Sequence, residues 1–212
     1  VKVIIPDHPL LGHKLTQLRD EATDGPTFRR LARELITLLA YEATRTLRTE
    51  AADVQTPVSP TTGVKLRMPA PLVVPVLRAG LGLLEGFLQI LPEAEVGFLG
   101  IARDERSLLP SIYAERLPRA LDGRQVFVLD PMLATGGTLT ATTRLMLDRN
   151  AQDVTCVCLL ASPEGVAAME RSFEGAGDSV RIVTASIDQG LNQKGYIVPG
   201  LGDAGDRLYG RL

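Results

Sequence analysis

Residues 126–138 read V-F-V-L-D-P-M-L-A-T-G-G-T, and their order decides the fold. Val126 to Leu129 is a continuous apolar run, the pattern of a strand buried on both faces of a parallel sheet. It ends at an acid, Asp130. Ala134-Thr135-Gly136-Gly137-Thr138 follows, and then helical spacing over residues 139–149. Strand, glycine turn and helix N-terminus together form a cradle for phosphate. Glycines let backbone N–H groups turn toward an anion. The helix N-terminus adds unpaired donors and the positive end of its dipole. Thr135 and Thr138 add hydroxyl donors. Nothing in the turn is cationic, so the lysine of a Walker loop is missing, and there is no G-x-G-x-x-G. An acid just upstream suits a sugar phosphate, whose hydroxyls donate to the carboxylate. The plainer alternative is an ordinary strand-to-helix connection with Thr138 as N-cap.

Outward from this stretch, strand and helix patterns alternate. Leu72 to Leu77 is a second buried run; it ends in Arg78-Ala79-Gly80 and leads into a helix through Leu83, Leu84, Phe87 and Ile90. Further strands are expected at 96–101, 154–160 and 180–185, with Ser162 as N-cap and Pro163 at the first position of an intervening helix. This alternation from 71 to 185 predicts a parallel α/β sheet. Ligands bind such sheets at the carboxyl ends of the strands. Arg78 stands there, placed either for an anion or as a rim residue in a cap or ion pair. Arg103, in Arg103-Asp104-Glu105-Arg106, is either a charge that closes onto a polyanion or part of a solvated face. Residues 107–118 read as an extended hairpin or flap over the site.

Before the sheet core, residues 1–5 predict a short strand and 9–22 a helix. Asp24-Gly25-Pro26 reads as a turn, after which Thr27 opens a longer helix with Phe28, Leu31, Leu35, Leu38, Leu39 and Leu47 on its apolar stripe. His8 and His13 read as surface or capping residues. Residues 53–69, with Pro57, Pro60 and Thr62-Gly63 between β-like runs, predict a projecting hairpin arm. The tail from 186 is rich in glycine, so neither a packed helix nor a regular strand is expected. Tyr196, Ile197, Val198 and Leu201 are too apolar for disorder. An ordered glycine-rich loop can bring backbone N–H and C=O groups against a flat heterocycle with an acceptor–donor–acceptor edge, such as uracil.

The 212 residues are 45% hydrophobic and 23% charged, normal for one globular domain. A net charge of −2 supplies no global basic field for nucleic acid. The two cysteines, Cys156 and Cys158, have no partner pair and there are only two histidines, so no Cys/His metal site is expected; reduced core cysteines in a cytoplasmic protein are. The apolar runs are too short to span a bilayer, and the opening run is stopped by Pro6, so no signal peptide is expected.

Four blocks resemble the uracil phosphoribosyltransferases: V-P-V-L-R-A-G-L-G at 74–82, D-P-M-L-A-T-G-G-T at 130–138, T-A-S-I-D-Q-G-L-N at 184–192 and G-Y-I-V-P-G-L-G-D-A-G-D at 195–206. The first two match phosphoribosyltransferases at large, and the last is particular to the uracil branch. The resemblance implies the type I phosphoribosyltransferase fold: one domain over 1–212, a core at about 70–185, and a hood from the tail at about 186–212 with the N-terminal segment. It also implies transfer of phosphoribose from 5-phosphoribosyl 1-diphosphate (PRPP) to uracil, giving UMP and diphosphate.

By motif position, PRPP would be held by Asp130, Pro131, Met132, Leu133, Ala134, Thr135, Gly136, Gly137 and Thr138, together with Arg78, Arg103 and Asp203. Uracil would be held by Tyr196, Ile197, Gly202, Asp203 and Ala204. Asp130, Arg78, Arg103 and Asp203 would carry the catalytic roles, with Asp203 a candidate acceptor for the N1 proton. Most phosphoribosyltransferases place two adjacent acids before the loop, whereas here Leu129 precedes Asp130 and Pro131 follows it. Magnesium would therefore ride on the diphosphate with no direct protein ligand. A purine nucleotide activator such as GTP occurs in part of the family, and no residues are assigned to it. A homodimer or higher homo-oligomer is expected, with no nucleic-acid or membrane partner. The rival class is a ligand-sensing regulator that keeps the phosphate loop without turnover.

Overall fold

The computed structural model describes residues 1–103 and 110–210. The chain opens with β1 (Lys2–Ile4), α1 (Pro9–Arg19) and α2 (Gly25–Ala43). Side chains fix both helix starts. His8 Nδ1 accepts from the Leu10 N–H at 3.2 Å, and Asp24 Oδ1 accepts from the Thr27 N–H at 2.9 Å. Asp24, not Thr27, therefore opens α2. Pro26 lacks an N–H and has a φ suited to a first turn, so the expected turn at 24–26 is absorbed into the helix. α1 stops at Arg19 rather than at 22. α2 stops at Ala43, which leaves Leu47 beyond its stripe.

The arm consists of β2 (Thr49–Gln55) and β3 (Pro60–Leu66), paired antiparallel with Ala52 opposite Gly63. It starts at Thr49, earlier than expected. Next come β4 (Leu72–Leu77), α3 (Leu81–Leu88), β5 (Glu95–Val96), β6 (Phe98–Arg103) and β7 (Pro110–Arg116). The single strand expected at 96–101 is thus divided at Gly97. β8 (Gln125–Leu129), β9 (Met132–Leu133) and α4 (Gly137–Asp148) contain the stretch that decides the fold. β10 (Asp153–Cys158), β11 (Leu160–Ala161), α5 (Pro163–Ser172) and β12 (Val180–Thr184) follow. The tail holds β13 (Gly190–Leu191), β14 (Ile197–Val198) and α6 (Ala204–Tyr209). Its helix was not expected. Ala204, Arg207 and Leu208 are good helix formers, and Asp203 caps them by accepting from the Asp206 N–H at 2.8 Å.

The main sheet runs β1-β12-β10-β8-β4-β6-β7, parallel throughout except for β7, which returns antiparallel to β6 at the edge. Residues 104–109 lie outside the described residues, as does the side chain of Arg103, so the expected reach of Arg103 and the start of the flap expected at 107–118 fall there; within the described part, Pro110–Arg116 of that flap form the edge strand β7.

Successive strand side chains point to opposite faces. Val73, Phe127, Leu129, Val157 and Val183 pack with α1, α2, α3 and α6. Val74, Val76, Val126, Val128, Cys156 and Cys158 pack with α4 and α5 on the other side. Helices cover both faces, which is why the central strands are apolar without interruption. Phe127 meets the Phe87 ring at 5.1 Å, and each such buried ring is worth about 1.5–3 kcal/mol. Both cysteines are free and buried. Burial pushes the Cys156 thiol up to about 12 and holds Cys158 well above its ordinary range, so neither is a nucleophile at neutral pH.

At the amino end of the sheet, Asp153 accepts from Arg181 Nη2 at 2.6 Å and from Gln125 Nε2 at 3.2 Å, and lies 3.3 Å from Arg48 Nη2 at the root of the arm. Arg181 and Asp153 side chains are each 8% exposed. Removing one partner leaves the other charge buried. Asp153→Ala should lower the unfolding free energy by about 3 kcal/mol in urea titrations, whereas Asp153→Leu with Arg181→Met should recover much of that loss.

Candidate active site

The carboxyl ends of β4 and β8 lie side by side, paired from Leu72–Val126 to Pro75–Leu129. Each strand releases its chain into a turn at the same edge. From β8 the chain enters Asp130, whose Oδ1 accepts from the Met132 N–H at 3.3 Å. Met132 and Leu133 then pair with Leu160 and Ala161. The Pro131 carbonyl accepts from the Leu159 and Leu160 N–H groups, and the Ala134 carbonyl accepts from Ser162 Oγ at 2.6 Å. Ser162 also caps α5 by accepting from the Gly165 N–H at 2.9 Å. Pro131 and Leu133 are buried, and they tie the turn to the neighbouring strand.

Gly136 is the N-cap of α4, with a φ of 84°. That left-handed conformation favours glycine, and a Cβ would approach Ala168 Cβ at 2.9 Å and the Gly165 carbonyl at 3.0 Å. A glycine cap has no side chain to occupy the first N–H groups of the helix. Those donors stay available to an anion. Thr138 sits inside the first turn rather than at the cap, so the plainer reading of Thr138 as N-cap does not hold.

Asp130, Met132, Leu133, Ala134, Thr135, Gly136, Gly137 and Thr138 line one cavity of about 220 Å³, which Leu139 and two tail residues, Lys194 and Gly195, complete. Burial pushes the Asp130 carboxyl up to about 6, against a smaller opposing effect of the Met132 N–H.

From β4 the chain enters Arg78-Ala79-Gly80 through a cis Leu77–Arg78 peptide. A Cβ on Gly80 would lie 2.2 Å from the Leu129 carbonyl oxygen, so only glycine lets this turn close onto the end of β8. Arg78 is exposed, with no ion-pair partner among the described residues. Its charge acts on Tyr209, whose phenol is raised by burial and lowered in part by Arg29 and Arg78.

The tail is stitched down by contacts that periodicity cannot forecast. Arg19 of α1 donates to both Asp188 carboxylate oxygens at 2.6 Å and to the Gly200 carbonyl at 2.8 Å. Asp188 also accepts from the Gly200 N–H at 2.9 Å and Ser186 Oγ at 3.0 Å. Burial pushes its carboxyl up, but Arg19 and the Gly200 N–H outweigh this and hold it below the usual range. Arg207 donates to the carbonyls of Leu18, Leu201, Asp20 and Thr23 and lies 4.4 Å over the Phe28 ring.

Around these anchors a second cavity of about 500 Å³ opens, lined by Tyr196, Gly202 and Asp203 as well as Arg19 and Arg207. The consecutive residues Gly195 and Tyr196 border the first and second cavities respectively. Ile197 and Ala204 turn their side chains into the core at 5% and 4% exposure, so they can meet a ligand only through backbone. The tail thus meets the glycine turn through Lys194 and Gly195, while Ala204 packs into the core shared with α1, α2 and α3. Lys194, Arg19, Asp188 and Arg207 were not singled out from sequence; long-range contacts leave no local spacing to read.

A parallel sheet with a glycine-capped turn beside an arginine turn, closed over by the chain's own tail, defines a protein of the type I phosphoribosyltransferase class. The uracil phosphoribosyltransferase family model matches residues 5–211, and the chain belongs to that family. It is 66% identical over 206 residues to the uracil phosphoribosyltransferase of Nocardioides sp., covering 97% of each chain. It is 65% identical over 210 residues to that of Streptomyces griseus, covering 99% of each. Among solved structures, the AQ2163 protein from Aquifex aeolicus is similar at a TM-score of 0.90 with 43% identity, covering 98% of both chains.

Asp130 binds its proton more tightly folded than unfolded, so its charge opposes folding above about pH 6, and this cost is relieved as pH falls toward 4. Asp130→Asn should therefore be more stable than the parent protein at pH 8 by up to about 3 kcal/mol, with the difference vanishing near pH 4 in denaturation curves taken across that range.

Proposed function

We propose that the chain transfers the phosphoribosyl group of PRPP to N1 of uracil, giving UMP and diphosphate for pyrimidine salvage. The observation that carries this reading is the meeting of the two family-specific segments: the tail that bears the base-reading block closes the cavity of the phosphate turn through Lys194 and Gly195.

In this reading the amides of Gly137 and Thr138 and the hydroxyls of Thr135 and Thr138 hold the 5-phosphate. Asp130 accepts from the ribose hydroxyls, which favours its ionised form once the sugar is bound. Departure of diphosphate leaves positive charge at the anomeric carbon, and the protein's task is positioning and charge balance. Arg78 offsets charge on the leaving group from the neighbouring turn, and Arg103 is retained as a second contact to the diphosphate. Uracil lies against the backbone of Ile197, Gly202 and Ala204, flanked by Tyr196, with Asp203 near the sugar and the N1 proton. One Asp203 oxygen is already engaged in capping α6.

Among the described residues no group of three or more His, Cys, Asp or Glu side chains is arranged to hold a metal. Asp130 is the one acid among the described residues lining its cavity, and Asp203 borders the second cavity with Glu21 and Asp206. That donor set suits Mg2+, which keeps most of its waters and binds chiefly through substrate phosphates. Bound to diphosphate, the ion would neutralise charge on the leaving group. A purine nucleotide such as GTP is retained as an activator, without an assigned site. We assign a homodimer or higher homo-oligomer to the arm, which exposes Val54, Val58 and Val64. No helix among the described residues is long and apolar enough to cross a membrane, and we place the enzyme in the cytoplasm.

Purified protein given PRPP, uracil and Mg2+ should form UMP and diphosphate, with Asp130→Asn lowering the rate at least about 100-fold. Cytosine presents a donor at the O4 position and an acceptor at the N3–H position, leaving two backbone groups unpaired. It should be used about 10²–10⁴-fold less well; comparable turnover of the two bases would refute the backbone reading. Asp188→Ala releases both Arg19 and the Gly200 turn, so its KM for uracil should rise about tenfold or more while binding of ribose 5-phosphate is retained.

A further inference from the structure

The phosphate turn has no cation of its own, yet its cavity contains one. Of the described residues that line it, Asp130 is the sole acid and Lys194 the sole base. A dianionic phosphate entering beside a carboxylate meets repulsion that amide dipoles oppose only in part. The tail supplies the missing charge. Asn192 Oδ1 accepts from the Lys194 N–H at 2.9 Å and from the Tyr196 N–H at 3.0 Å, and the Gly195 N–H donates to the Asn192 carbonyl at 2.9 Å. The Asn192 N–H in turn donates to the Tyr196 carbonyl at 2.9 Å. This closed turn holds Lys194 at the cavity wall, and a Cβ on Gly195 would lie 4.0 Å from Thr135 Cγ2. Among the described residues Lys194 has no ion-pair partner, in contrast to Lys2, Lys14 and Lys65.

We propose that Lys194 is the phosphate-binding cation of this site, delivered in from the C-terminal tail to the 5-phosphate of the ribosyl donor. The inference rests on the reading of residues 130–138 as the sugar-phosphate site. A lysine is suited to this place because its ammonium is a compact point charge on a flexible stem, able to follow a phosphate without fixed fork geometry. The same residue gives the tail a direct stake in phosphate binding, since the backbone that reads the base begins immediately after it.

The test is calorimetric binding of ribose 5-phosphate and of inorganic diphosphate to the full chain, beside steady-state kinetics. Lys194→Ala should weaken ribose 5-phosphate about tenfold, the low end expected for losing a charge-assisted contact at an exposed site. Its affinity for diphosphate should be preserved, because that anion belongs to the Arg78 side. The KM for PRPP should rise by a similar factor and kcat should change less. Lys194→Arg should restore most of the affinity, and the gap between parent and Lys194→Ala should narrow as salt is raised. Gln193→Ala, an exposed neighbour, should behave as the parent. Equal ribose 5-phosphate affinity in the parent and Lys194→Ala would overturn the assignment of Lys194 while leaving the phosphate turn intact. Failure of the parent itself to bind ribose 5-phosphate would bring down the sugar-phosphate reading and this assignment together.

Discussion

The pairing of β4 with β8 is the constraint on which the site depends. Four consecutive residue pairs, from Leu72–Val126 to Pro75–Leu129, fix the two strand ends at one level of the sheet. Gly80 then packs against the Leu129 carbonyl at a distance that excludes any side chain. The arginine turn and the glycine turn are thereby set beside each other by backbone contact alone. Two turns that are far apart in the chain become one edge, and this edge is where parallel α/β sheets offer their loop N–H groups to ligands.

Burial on both faces makes that edge rigid. Phe127 and Leu129 point toward α2 and α3, while Val126 and Val128 point toward α4 and α5. Shifting β8 by one residue would exchange those two sets and move Asp130 off its turn. The polar groups at the amino end of the sheet, Asp153, Arg181 and Gln125, satisfy one another and Arg48. Their demand for specific partners resists the same slippage from the opposite end. Among the described residues no buried side-chain nitrogen or oxygen lacks a hydrogen-bond partner, as expected where buried polar groups must replace the water they lose.

The tail obeys a different physics. Its short strands and its six-residue helix could not persist alone, since helix nucleation is costly and a two-residue strand pair buries little. Two arginines hold it. Arg19 binds the Asp188 carboxylate and the Gly200 carbonyl, and Arg207 gathers four carbonyls while covering Phe28. A planar guanidinium with five donors suits this task better than an ammonium would. The hood is therefore fastened to α1 and α2 by polar contacts, with Ile197, Leu201, Ala204 and Leu208 as its apolar footing.

The sequence by itself determined the parallel sheet, the glycine turn that opens α4 and the apolar, glycine-rich character of the tail. These are local properties: an uninterrupted apolar run means a strand covered on both sides, and glycine beside hydroxyls at a helix start means an anion cradle. Its errors were also local, as at Asp24 and Gly97, where a cap and a strand break depend on a single residue. The glycine-rich tail concealed α6, because glycine content argues against a helix whose stability comes from packing. Only the tertiary structure decided which residues close the site. Lys194 lines the cavity of the glycine turn, and Asp188 is clasped by Arg19, because the tail folds back to meet both the β8 edge and, across more than a hundred positions, α1. Such contacts depend on where the backbone has been carried, and no periodicity in the neighbouring residues records that.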